Sequence, residues 1–326
     1  CDKKIKIPIS RTPFKFRNIK AILMLKKIID NEKYDLISTS TPMGSVVARI
    51  AAIKTRKKYN TKLIYTAHGF HFFNGCPLFN WLTYYPIEKI LMKFTDTLIT
   101  INKEDYELAK KRLNAKNVHY IHGIGIDKNK FNKILTNVEK EKIRESLDLK
   151  KDDFIMAFVG ELNDNKNQIM LIEAMKDLVK ENCNFKLLLV GKGPLKELFE
   201  NKIKEYNLEK NVLLLGYRTD IFEILSVVDL YTAISKREGL PVNVLEAKIM
   251  SLPIIVTNSR GQRELVKDNE NGYIIEMGDI ETLKEKIKLL YNNTDIRNKF
   301  VENAKKDMEK YYLENVYEEI KKIYIK

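Results

Sequence analysis

Two glutamates, Glu238 and Glu246, stand eight positions apart in the string KREGLPVNVLEA (236–247). What such a pair can do depends on its surroundings. DLYTAIS (229–235) reads as a short buried strand leaving a core. Gly239 permits a tight turn, and Pro241 suits the first position of a helix running from Val242 to Met250. A helix N-terminus offers free N–H groups and a positive dipole end, which together make a phosphate site. A carboxylate one or two turns further in can accept two hydrogen bonds from a ribose diol. The strand, turn, helix and carboxylates together suit a nucleotide diphosphate that carries a sugar. Two glutamates at this spacing mean little alone in a Lys/Glu-rich chain; the whole string is far more specific.

Other strings carry compatible chemistry. VGELNDNKN (159–167) puts Gly160 at a strand end, where backbone can approach phosphates, and Lys166 at the start of the next helix. YTAHGFHFF (65–73) follows a strand and contains His68 and His71, two of the four histidines. A loop-end histidine titrates near working pH and can make a polar contact; His71 reads better as a buried, satisfied ring. From Phe70 to Tyr85, seven of sixteen residues are aromatic, including the only tryptophan, Trp81. That stretch fits a domain core, a lipid-acceptor entrance or an interfacial membrane contact. In LLGYRTD (214–220), Asp220 reads as a cap for a following helix.

Together with TPMGSVVARIAA (41–52), GIGID (123–127) and VGELNDNKNQIMLIEAM (159–175), these strings have the order and spacing of the retaining glycosyltransferases of family 4. The chain resembles that family over nearly its whole length, and most of all the bacterial enzymes that build capsular and extracellular polysaccharides. The resemblance implies an α/β chain with the GT-B fold: two Rossmann-like, doubly wound parallel-sheet domains facing a cleft. It implies His68 and Glu238 as catalytic residues near the donor sugar, with Glu246 on the ribose hydroxyls. The N–H groups of Gly239 and Leu240 then meet the distal phosphate, Gly160 and Lys166 serve the diphosphate, and the loop at Gly216 and Tyr217 reads the base. The implied reaction moves a hexose or N-acetylhexosamine from a nucleotide sugar, UDP-linked by expectation, to a lipid-linked or glycan acceptor. Three departures stand out. Glu161 occupies a position where the broader family has arginine, which leaves Arg237 as a candidate second cation. Ser38 and Ser40 stand where members of this type often have histidines. The family's opening strand, loop and helix have no counterpart before Cys1, so the first domain is expected to be incomplete and transfer weak. A truncated nucleotide-sugar-binding protein and, less favoured, a UDP-sugar epimerase are the alternative readings.

Composition sets outer bounds. At 326 residues the chain exceeds the usual single-core size, which predicts two domains. Short β-rich runs alternate with amphipathic stretches throughout, the pattern of parallel sheets flanked by helices. The expected divisions are an acceptor-side domain over 1–130, a nucleotide-sugar domain over 131–310 and a returning helix over 311–326. Three scattered cysteines and the absence of CxxC or DxD strings give no metal site, so no metal and no cofactor beyond the sugar-nucleotide substrate are expected. Residues 1–150 hold 30 Lys/Arg against 14 Asp/Glu, whereas 151–326 hold 28 against 30. The basic first half should face something anionic, such as a lipid diphosphate or a phospholipid surface. No nucleic-acid motif accompanies the charge. A cytoplasmic enzyme, peripheral at the inner membrane face, is the expected setting.

Overall fold

The computed structural model describes residues 3–10, 12 and 15–325; Cys1 and Lys326 lie outside them. The chain divides into two compact units, one of residues 1–123 with 319–326 and one of residues 124–318. The first unit therefore ends at Gly123, inside the GIGID string, rather than at 130.

In the first unit, α1 (Phe16–Glu32), β1 (Leu36–Thr39), α2 (Pro42–Ala51), α3 (Ile53–Tyr59), β2 (Lys62–Ala67), α4 (Leu78–Leu91), β3 (Thr97–Thr100), α5 (Lys103–Arg112) and β4 (Asn117–Tyr120) follow one another. Their four strands form a parallel sheet in sequential order, β1-β2-β3-β4, so the described strands show no reversal of winding. The helix that opens in the TPMGSVVARIAA string is broken at Ala52, where α2 hands over to α3. The aromatic stretch divides between a loop and α4. Phe70, Phe72 and Met92 form core with Tyr65, while Leu78, Phe79 and Leu82 remain exposed.

The second unit contains α6 (Asn137–Ser146), β5 (Phe154–Val159), α7 (Ile169–Glu181), β6 (Phe185–Val190), α8 (Lys196–Glu205), β7 (Val212–Gly216) and α9 (Ile221–Leu225). It continues through β8 (Leu230–Ala233), α10 (Val242–Ile249), β9 (Ile254–Thr257), α11 (Arg260–Leu265), β10 (Tyr273–Ile275), α12 (Ile280–Asn292) and α13 (Thr294–Lys306), while α14 (Leu313–Tyr324) starts in this unit and ends, from Glu319 on, in the first. Every residue of β6 is buried, as expected of a parallel strand covered on both faces. The strand order is β10-β9-β8-β5-β6-β7. Winding runs one way from β5 to β7 and the other way from β8 to β10, so the order reverses between β5 and β8. Ligands in such sheets bind beyond the carboxyl ends of the strands at that reversal.

Candidate active site

The loops after β5 and β8 meet at the reversal point. From β5 the chain passes through Gly160, and β6 leads to Gly191, whose φ is +150°. A Cβ on Gly191 would lie 1.9 Å from the Gly160 carbonyl oxygen, and one on Gly193 2.2 Å from that of Leu162. Only glycines let these two loops touch backbone to backbone, and the Leu162 N–H seals the contact by donating to the Lys192 carbonyl at 3.0 Å.

Asparagines then aim Lys166. Asn163 Oδ1 accepts from the Lys166 N–H at 2.9 Å, and Asn165 Nδ2 donates to the Arg237 carbonyl at 3.0 Å. The Lys236 N–H returns a bond to the Asn165 carbonyl at 2.7 Å, which stitches the two loops together. Asn167 holds φ +57°, a conformation asparagine tolerates better than most residues, and donates to the Ile234 carbonyl. The result is an ion pair between Lys166 Nζ and Glu238 Oε1 at 2.6 Å, both side chains largely buried. Sequence reasoning placed both residues in the site but did not foresee their pairing. The asparagine-rich NDNKN string was the available signal, because such residues order turns through side-chain bonds to backbone.

The turn after Glu238 packs against α11, where a Cβ on Gly261 would lie 2.5 Å from the Gly239 carbonyl oxygen. Gly239 does not hold positive φ, so its tight turn needs no left-handed backbone. Pro241 is the N-cap of α10 rather than its first residue, and no side chain caps that end. Leu240 is buried there. Glu246 lies in the next turns, half-buried, and its carboxylate makes no hydrogen bond or ion pair among the described residues. Burial raises its pKa, and the charge of nearby Lys130 partly offsets that rise. Lys130 is a neighbour that sequence spacing could not reveal.

Gly216 holds φ +69° and its carbonyl accepts from the Gly191 N–H at 2.8 Å, so the third loop joins the first two. Tyr217 is 69% exposed beside it. Asp220 does not cap α9 as expected. Its carboxylate is held instead by the Arg218 guanidinium, which also lowers its pKa. Glu161 is exposed and accepts from Asn163 Nδ2 at 3.0 Å.

Within the second unit, then, the fold gathers Gly160, Lys166, Gly216, Glu238, Gly239 and Glu246 around one strand-order reversal. His68 belongs to the first unit, at the end of β2. It is exposed, yet the chain packed around its ring lowers its pKa by desolvation. His71 is half-buried and stacks on Tyr84 with ring centres 4.6 Å apart.

Comparison with known proteins agrees with this geometry. Residues 139–307 match the family described as Glycosyl transferases group 1, and residues 3–102 match Glycosyl transferase 4-like. The chain is 39% identical over 325 residues to the putative glycosyltransferase EpsD of Bacillus subtilis, covering 99% of this chain and 84% of that one. It is 34% identical to an Escherichia coli UDP-Gal:alpha-D-GlcNAc-diphosphoundecaprenol alpha-1,3-galactosyltransferase, over 82% of this chain and 68% of that enzyme. Among solved structures, HepE of Anabaena in complex with UDP and glucose superposes with a TM-score of 0.81 at 21% identity, over 97% and 84% of the two chains. WaaG, a glycosyltransferase of lipopolysaccharide biosynthesis, gives 0.74 at 18% identity, over 98% and 85%. Two parallel sheets with this strand order, a family match over half the chain and a relative 39% identical over nearly all of it lead to one conclusion: this protein is a group 1 glycosyltransferase with the GT-B fold.

Proposed function

We propose that the protein transfers a hexosyl or N-acetylhexosaminyl residue from a UDP-sugar to a lipid-linked glycan, with retention of anomeric configuration, in the synthesis of a bacterial surface polysaccharide. The observation that carries the donor half is the Lys166–Glu238 ion pair beside an unpartnered Glu246. Glu246 has unused acceptor capacity in a half-buried setting, which a ribose diol would fill. Lys166 would turn from Glu238 to the diphosphate as the donor enters, which leaves the Glu238 carboxylate for the hydroxyls of the donor sugar. Gly239 and Leu240 N–H groups at the start of α10 would meet the distal phosphate. Glycosyl transfer has to stabilise a departing diphosphate and an oxocarbenium-like sugar. Lys166, the α10 N-terminus and Arg237 supply the positive charge for the first without a metal ion. His68 is proposed at the sugar and acceptor side, where its lowered pKa keeps it neutral at pH 7. Gly216 and Tyr217 are proposed to read the base.

The acceptor reading draws on the relatives: the Escherichia coli enzyme is named for a diphosphoundecaprenol acceptor, as is a Campylobacter jejuni relative 31% identical over 156 residues. Peripheral contact with an anionic membrane is part of the proposal, supported by the charge of the first unit. No helix among the described residues is long and apolar enough to cross a membrane. Calorimetry with UDP tests the donor site: binding is expected, with Glu246→Ala losing roughly 1–3 kcal/mol, the scale of a hydrogen bond to a charged group. Unchanged affinity in that variant would assign Glu246 a structural part only.

A further inference from the structure

A cavity of about 620 Å³ lies wholly within the first unit, between α2 and α4 and over the loop that follows β2. Its walls are mostly apolar: Met43, Val46 and Ile50 come from α2, Tyr84 and Ile87 from α4, and Phe70 from the loop. A buried ion pair sets the spacing of the two helices. Arg49, fully buried on α2, donates to both carboxylate oxygens of Glu88 on α4, at 2.8 and 3.1 Å. Its guanidinium also lies 4.5 Å from the Tyr65 ring centre. A two-pronged bond of this kind fixes orientation as well as distance. Glu88 faces the cavity with each oxygen bonded to Arg49, and apolar side chains outnumber polar ones such as Thr41 and His71 in the lining, so the space favours a largely hydrocarbon ligand.

Two further observations say what kind of hydrocarbon. The N-terminal turns of α4 expose Leu78, Phe79 and Leu82 at 71%, 66% and 68%, an apolar surface on the face of the helix turned away from the cavity, which a chain leaving the cavity reaches round the start of α4. The unit as a whole carries 26 Lys/Arg against 10 Asp/Glu. An apolar slot in a strongly basic unit complements an anionic amphiphile. We propose that the cavity holds part of the prenyl chain of a polyprenyl-diphosphate-linked acceptor, with more of the chain along Leu78, Phe79 and Leu82 and the diphosphate met by the basic surface. A volume in the range of small-molecule sites admits a segment of such a chain and not its whole length. This rests on the lipid-linked acceptor reading and names the element that recognises the lipid.

The probe is farnesyl diphosphate, titrated into the full chain with UDP saturating so that its diphosphate cannot report on the donor site. Binding at least tenfold tighter than that of inorganic diphosphate is expected. Val46→Phe and Ile87→Phe, which fill the space, should weaken it at least tenfold while UDP affinity stays the same. A photoreactive farnesyl diphosphate analogue should label α2 or α4 of the unaltered protein, so the question stands even if the filled variants misfold. Equal affinity for inorganic diphosphate, undiminished binding in well-folded filled variants, or labelling confined to other elements would each overturn the proposal. Loss of UDP binding alone would instead count against the donor site.

Discussion

At the residue level the proposed donor site is a set of charges paired with one another. Lys166 is neutralised by Glu238, and Lys236 is tied to Asp164 at 2.6 Å. Arg237 has no ion pair among the described residues, although its carbonyl is anchored by Asn165. Two consequences can be measured. Glu238→Gln should leave UDP affinity unchanged or tighter, because Lys166 is released, while transfer falls at least tenfold. A parallel loss of UDP binding would show that Glu238 organises the loop instead. The second consequence concerns pH. Burial raises the Glu246 pKa, so its carboxylate takes up a proton at a higher pH than an ordinary glutamate would. A protonated Glu246 accepts fewer hydrogen bonds from a ribose diol. UDP affinity should therefore fall as pH drops through that raised pKa, and Glu246→Gln should flatten the profile. The strings around Glu238, Glu246 and Lys166, with the family resemblance they carry, marked these residues as candidates from the sequence. The Lys166–Glu238 pair and the Lys130–Glu246 proximity were not legible there, since each joins positions more than seventy apart that only the folded sheet brings together.

At the element level, legibility followed burial. Short β-rich runs are where the strands of the described residues form, because strands inside parallel sheets are continuously apolar. Helix ends were read less well where a side chain had alternatives. Asp220 pairs with Arg218 instead of capping α9, and Pro241 sits one position before α10 begins. Close loop contact offers a sharp test. Gly191→Ala would place a methyl group against the Gly160 carbonyl and should cost about 2 kcal/mol or more in stability, with weaker UDP binding. An unchanged melting temperature would refute the close approach. Lys248 tests the packing of α10 itself. It is buried, donates to the Leu265 carbonyl at 3.0 Å, and burial lowers its pKa from 10.5 to about 8. Between those values the unfolded chain binds the proton more tightly than the folded one, so stability should rise with pH across about 8 to 10.5. Below about 8 both states are charged and the burial cost is constant. Lys248→Met should remove that cost, offset by the lost bond to the Leu265 carbonyl, and abolish the rise with pH. Chemical denaturation at several pH values reads both effects.

At the scale of the whole molecule, the division of labour follows the charge. The unit of residues 124–318 contains the loops proposed to bind the donor and is close to neutral, with 32 Lys/Arg against 34 Asp/Glu. The first unit carries the basic excess and the apolar cavity. If that excess meets anionic lipid, vesicle binding should grow with the anionic fraction and weaken steeply with salt, as the Debye length shrinks from about 10 Å at 0.1 M to about 3 Å at 1 M. Salt-insensitive binding would shift the contact to Leu78, Phe79 and Leu82. The central claim is sugar transfer itself, and one experiment addresses it most directly. The protein is incubated with a panel of UDP-sugars and a bacterial lipid extract containing polyprenyl-diphosphate glycans, and the products are weighed by mass spectrometry. The account predicts that one donor releases UDP and adds a single hexose or N-acetylhexosamine to a prenyl-diphosphate glycan, with Lys166→Ala abolishing the product. UDP release without a heavier lipid-linked glycan, or a sugar epimerised on its nucleotide and never transferred, would contradict it.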